Sequence, residues 1–160
     1  MQDGGFLIRE VSQGSSDLEL QSVGLVLVNR DGSYFTFQEM TPKWEIGKAR
    51  NNWSFAWETR EKGESDAAVL ARITTEEVGE QVTLLTQPKF LTAFEFAGSF
   101  ATFYWAQFGE ATSFQSLALK NGEIKNPSWK TPLEMNSLIC RVGIRHVLMK
   151  LRQEKIGQWP

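Results

Sequence analysis

An α+β fold is what this 160-residue sequence predicts, and three observations predict it. Short runs of β-forming residues fill most of the chain. One stretch, residues 65–78, breaks that pattern with helical spacing, and a capping box near residue 131 starts a second helix. Strands around one helix, with another helix near the end, are most economically packed as sheet and helix layers on a common core.

The elements follow in order. "SVGLVLVN", 22–29, is an apolar run of β-formers. "RDGS" reads as a turn and "YFTFQEM" as the returning strand, with Asp31-Gly32 the hairpin signal. "TPKWEIGKARNN", 41–52, is polar and irregular and reads as a loop. "WSFAWE" then alternates, which places Trp53, Phe55 and Trp57 on one face of an extended segment. Ser65 is the expected N-cap of the helix, Asp66 lies in its first turn, and Gly79 is the expected C′ stop. "QVTLLT" and "FEFAGSFATFYWAQF" give further strands, the latter with a Gly-Ser break, and "KNGE" is a turn. Thr131-Pro132-Leu133-Glu134 combines a capping box with proline at the first helical position. The helix starting there is expected to run to Glu154, with Gly143 as its point of interruption.

Composition narrows the class. A hydrophobic share of 41% and a charged share of 22% are those of an ordinary globular chain. The length suits a single domain spanning residues 1–160. A net charge of −2 supplies no basic field for nucleic acid or an anionic membrane. No apolar run has the length of a membrane span, and "MQDGGFLIREV" lacks the pattern of a secretory leader. The single cysteine, Cys140, cannot form an intrachain disulfide, and its apolar neighbours suit a buried thiol. A cytoplasmic protein is the expectation. Six tryptophans and eleven phenylalanines leave two uses for the aromatic surplus, core packing or stacking on a base. His146, the one histidine, has no second histidine for a metal pair and reads as a surface or helix-packing residue.

"GESDAAVLARITTEEVG", 63–79, carries the functional signal. Glu76 stands four after Arg72, on the same helical face, and adjacent Glu76 and Glu77 oppose the helix dipole unless a cation offsets them. Magnesium would do so, since it takes one or two carboxylates together with water and phosphate oxygens. A solvated acidic face is the plain alternative. Glu64, Arg72, Glu76, Glu77 and Gly79 fall in register with the box of the Nudix hydrolase family, G-x5-E-x7-R-E-U-x-E-E-x-G-U, with U a bulky aliphatic. Glu61 and Ser65 suit its common ExGES version. "NNWSFAW" and "IKNPSWKTPLEM" resemble further family elements in the usual order, so that the resemblance covers roughly residues 20–155.

Four positions depart. Glu58 replaces the leading glycine, Ile73 the glutamate after arginine, and Thr74 and Glu80 the two aliphatic residues. The resemblance implies an α/β/α sandwich with a mixed central sheet. It also implies hydrolysis of a nucleoside diphosphate linked to another group, dependent on Mg²⁺ or Mn²⁺. Glu76, Glu77 and Glu61 are then the metal candidates, and Arg72 and Glu64 complete the catalytic set. Trp53, Phe55, Trp57 and Arg60 are the substrate-binding candidates, and Lys43, Lys48 and Arg50 flank the site. Ile73 cannot coordinate a metal, and its position is expected one turn before the glutamate pair, on the metal-facing side. The other reading is a catalytically inactive Nudix-fold module that binds a nucleotide, a protein partner or a second copy of itself. A mainly structural partner in a larger assembly is the third.

Overall fold

A computed structural model describes residues 1–14, 16–111 and 113–160. Its strands are β1 (Gln2–Asp3), β2 (Phe6–Leu7), β3 (Arg9–Val11), β4 (Leu20–Val28), β5 (Tyr34–Glu39), β6 (Trp53–Ser54), β7 (Ala56–Thr59), β8 (Val82–Leu84), β9 (Lys89–Phe96), β10 (Ser99–Ala111) and β11 (Ile124–Lys130). The α-helices are α1 (Asp66–Ile73), α2 (Leu117–Lys120), α3 (Pro132–Ser137) and α4 (Ile144–Gln153), and a π turn, Thr74–Val78, continues α1.

Nine strands form one sheet, in the order β11-β5-β4-β10-β9-β3, with β6 on β5, β7 on β4 and β8 on β10. β4 and β10 run parallel in nine-residue register, from Ser99 opposite Leu20 to Gln107 opposite Val28, and the other pairings are antiparallel. The sheet is therefore mixed, as expected. The turn at Asp31-Gly32 returns the chain, but β4 and β5 pair only at Val28–Tyr34. They then part, and β6 and β7 enter on them.

Side-chain alternation divides the core. Val23, Leu25 and Leu27 of β4 face the layer that holds Val69, Leu70 and Ile73 of α1. Val26 and Val28 face the opposite layer, with Val147, Leu148 and Leu151 of α4. β10 repeats the division, with Tyr104, Ala106 and Phe108 on the α1 side and Ala101 and Phe103 on the α4 side. Helices on both faces give the α/β/α sandwich. No helix among the described residues is long and apolar enough to cross a membrane.

Two local expectations change. The single helix after Thr131 is two: the capping box forms at α3, but Leu138 is extended and Gly143 takes φ +99° before α4. Gly79 is not a left-handed stop, since its φ of 175° is extended backbone. It is small because a Cβ there would lie 2.5 Å from the Ser113 carbonyl oxygen. His146 is buried on α4, edge-on to Phe94 and hydrogen-bonded to Thr92, a packing histidine.

Candidate functional site

The box helix starts as its sequence dictates. The Ser65 hydroxyl accepts from the Ala68 N–H at 3.2 Å, which satisfies one of the free donors of the first turn. Asp66 sits in that turn and pairs with Arg60, and Tyr104 donates its hydroxyl proton to the same carboxylate. Arg72 reaches back to Glu64 with two parallel bonds, Nε to Oε2 at 3.2 Å and an Nη to Oε1 at 2.8 Å. A third bond goes to the Thr59 carbonyl at 2.8 Å. Glu58 lies 3.5 Å and Glu76 3.8 Å from the same guanidinium. Glu64 also accepts from the Glu61 N–H at 2.7 Å, which fixes the loop before the helix. The Arg72 guanidinium, with that N–H behind it, holds the Glu64 carboxyl below the usual range, and Glu64 in turn raises Arg72.

The helix then changes pitch. Thr74 and Thr75 return their hydroxyls to the carbonyls of Leu70 and Ala71, and the Gly79 N–H closes on the Thr74 carbonyl five residues back. Side-chain competition of this kind loosens the i→i+4 ladder, and one π turn results. Ile73 and Val78, five apart, both enter the core layer beside α1, each fully buried. The position of the missing glutamate thus points into the core and lines no part of the cavity described next, against the expectation that it faces a metal site.

Glu77 takes the inward place. Its Oε2 accepts from the Trp57 N–H at 2.7 Å, and the residue is only 5% exposed. It lines a cavity of about 350 Å³ with Glu39, Glu58, Glu76, Lys48 and Arg141. The Trp57 ring forms part of the wall. Its Nε1–H donates to the Ser22 hydroxyl at 2.7 Å, and the Arg141 guanidinium stacks on it with 3.8 Å to the centroid. Arg141 and Lys48 each come within 3.4 Å of a different Glu39 carboxylate oxygen. Burial pushes the Glu77 carboxyl well above the usual range, helped by the Glu58 and Glu39 charges and a hydrogen bond to Glu58. The Trp57 N–H opposes the rise. Burial also works against the Arg141 charge, and Glu39, Glu77 and Glu58 sustain it.

The structure gathers the sequence-derived candidates only in part. Glu76, Glu77 and Trp57 line the cavity, and Arg72 and Glu64 stand behind it. Glu61 is exposed and lies off the cavity wall. Phe55 is fully buried in the core and offers no face to a ligand. Trp53 lies off the wall too, with Lys130 over its ring at 4.9 Å, and Arg60 is engaged with Asp66 and the Glu64 carbonyl. The residues sequence reasoning missed are Glu39 and Arg141, with Glu58 noticed only as a replaced glycine. One signal existed for Arg141: a charge within "SLICRVGI" must find a buried partner.

No family model matches the chain, and no curated protein matches it by sequence. Solved structures do. A MutT NUDIX hydrolase from Burkholderia pseudomallei superposes with TM-score 0.64 at 15% identity, over 82% of this chain and 97% of that one. A pyrophosphohydrolase of Bacillus subtilis gives 0.62 at 15% identity, over 96% and 93%. The Nudix fold is the fold of this chain. An Ap4A hydrolase from C. elegans shares it, with TM-score 0.58 at 16% identity over 85% and 97%.

On this Nudix frame the residues do not fit the divalent ion that the resemblance implies. Such an ion needs several oxygens free to close around it. Among the described residues, no group of three or more His, Cys, Asp or Glu is placed to hold a metal. The cavity carboxylates are instead engaged by the protein: Glu77 by the Trp57 N–H, Glu39 by Arg141 and Lys48, Glu58 and Glu76 by Arg72.

Proposed function

We propose that this chain, as one domain over residues 1–160 of a cytoplasmic protein, is a Nudix-fold module that binds a nucleotide in the Glu77–Arg141 cavity without cleaving a diphosphate. The observation that carries this reading is the engagement of Glu77, the inward carboxylate of the box, by burial and by the Trp57 N–H. A general base or metal ligand needs an accessible, ionised oxygen, and this environment works against both. A ligand is supported by the cavity itself and by Arg141 Nε, which is buried with no hydrogen-bond partner among the described residues. Lys43 and Lys48 line the same cavity and supply donors for a phosphate or a base carbonyl. The nucleotide class is taken from neighbours such as the Ap4A hydrolase.

One observation favours the second reading, metal-dependent hydrolysis of a nucleoside diphosphate derivative by Glu76, Glu77, Arg72 and Glu64. Glu58 enters the cavity beside Glu76 and Glu77 and brings a carboxylate that the family pattern does not place there. A panel of nucleoside diphosphate derivatives with Mg²⁺ or Mn²⁺, assayed for product and by calorimetry with nucleotides and ADP-ribose, separates the two. Saturable heat without turnover is expected. Turnover that disappears in Glu76→Gln/Glu77→Gln would replace the binding reading by the hydrolytic one. Silence toward every ligand would remove both in favour of a scaffold.

A further inference from the structure

We infer that the Arg141 guanidinium is a built-in cation of the acidic cavity, balancing the charge that a bound divalent ion would otherwise balance and so excluding that ion. The inference rests on the reading of the chain as a binding module, and it adds the residue that makes the cavity metal-independent.

The placement of Arg141 is specific. The segment before α4 is tied to β6 on both sides: the Trp53 N–H donates to the Ile139 carbonyl at 2.9 Å, and the Arg141 N–H to the Trp53 carbonyl at 2.8 Å. Gly143 follows in the left-handed region, where a Cβ would come within 3.1 Å of the Trp57 ring. The backbone is thereby held close against Trp57, and the side chain runs into the cavity with 7% of its surface exposed. Its Cζ lies over the indole, and one Nη faces Glu39 Oε1.

Guanidinium suits this position better than ammonium. It is weakly hydrated, stacks on aromatic faces and stays charged under burial that would discharge a lysine. Lys48 adds a second positive charge at the other Glu39 oxygen. The inner acids Glu39, Glu58 and Glu77 thus meet two fixed cations, and a further divalent charge would be repelled by both at short range. Trp57 links the parts, since its ring carries Arg141 and its backbone N–H holds Glu77.

Mn²⁺ binding to the full chain, read by the loss of the free hexaaqua ion's paramagnetic resonance signal, tests this without reference to activity. Wild type is expected to show no saturable site below about 1 mM, the weak end of protein affinities for hard cations. Arg141→Met is expected to gain one site at least about tenfold tighter as the local repulsion falls. Arg141→Lys, whose ammonium this burial would discharge, is expected to gain Mn²⁺ affinity as well, between wild type and Arg141→Met. Removing a buried partner can unfold a chain, so Lys48→Met, at a more exposed position, is the second variant and should show a smaller gain. A saturable wild-type site lost in Glu77→Gln overturns the inference, as does a failure of Lys48→Met and a folded Arg141→Met to gain affinity. Wild-type Mn²⁺ binding without turnover would remove this inference alone, whereas turnover of a nucleoside diphosphate would remove the binding-module reading.

Discussion

Two arginines organise the acidic end of this molecule, and they differ in depth. Arg72 keeps 21% of its side chain exposed and gathers Glu64, Glu58 and Glu76 around it at 2.8–3.8 Å. Arg141 keeps 7% and works on Glu39, with Glu77 and Glu58 nearby. The same residue types give opposite electrostatics. Arg72 is raised by its carboxylates, the bond to Glu64 first, while Arg141 is lowered by its own burial. At the surface an ion pair organises geometry at little cost in desolvation. In the cavity each charge depends more on its partner, because burial limits its contact with solvent.

The sharpest way to probe that difference is to place a charge where neither arginine reaches. Ile73→Glu restores the family's carboxylate in sequence but puts it into the apolar layer beside α1, where Ile73 is fully buried. A loss of about 4 kcal/mol in unfolding free energy is expected by denaturant titration. A stable variant that binds Mn²⁺ would show that residue 73 can turn to the cavity.

The next comparison sets the two arginines against each other. Arg141→Met should cost about 3 kcal/mol because it leaves the buried Glu39 with Lys48 as its one remaining cation, and adding Glu39→Gln should recover much of the loss. Arg72→Met should lower Tm by only about 2–4 °C. Equal losses would erase the distinction in depth.

The smallest effect is a slope. Glu77 has its folded pKa raised, chiefly by burial and next by Glu58 and Glu39, while Arg141 faces it from the C-terminal segment. The folded state therefore binds the extra proton, and the Glu77 contribution to stability is fully present below the ordinary carboxylate range. It is lost as pH rises from the unfolded value of about 4.3 through the raised folded one. Tm measured from pH 5 to 8 should fall more steeply for wild type than for Glu77→Gln. Parallel curves would mean that Glu77 ionises freely. The surface carboxyls Glu64 and Glu95 act in the other sense, being lowered by Arg72 and Arg9, and lose their contribution only as pH falls below the ordinary range.

What could be read in advance depended on range along the chain. Ser65 as N-cap and the capping box at Thr131 are settled within one helical turn, and both were legible. The alternation of WSFAWE was legible for Phe55 and Trp57, which share one core layer, while Trp53 of the same face lies outside it, with Lys130 over its ring. The direction of Ile73 was not legible, because helical bookkeeping at 100° per residue fails once Thr74 and Thr75 open a π turn. Nor was the break between α3 and α4, where one capping box was extended over a segment that Gly143 and extended Leu138 divide. Arg141 and Glu39 escaped because their meaning lies in a contact between distant segments.

That contact has a consequence for how the molecule acquires its properties. Glu39 and Arg141 are 102 positions apart, and Lys48 sits on a loop whose Gly47 packs on Val142. Closing so long a segment is entropically late in folding compared with a hairpin or a helical turn. Until it closes, Glu39 of β5, Glu58 of β7 and Glu77 of the π turn are without Arg141. The charge balance of the cavity is thus a property of the completed fold, to which the segment before α4 contributes Arg141.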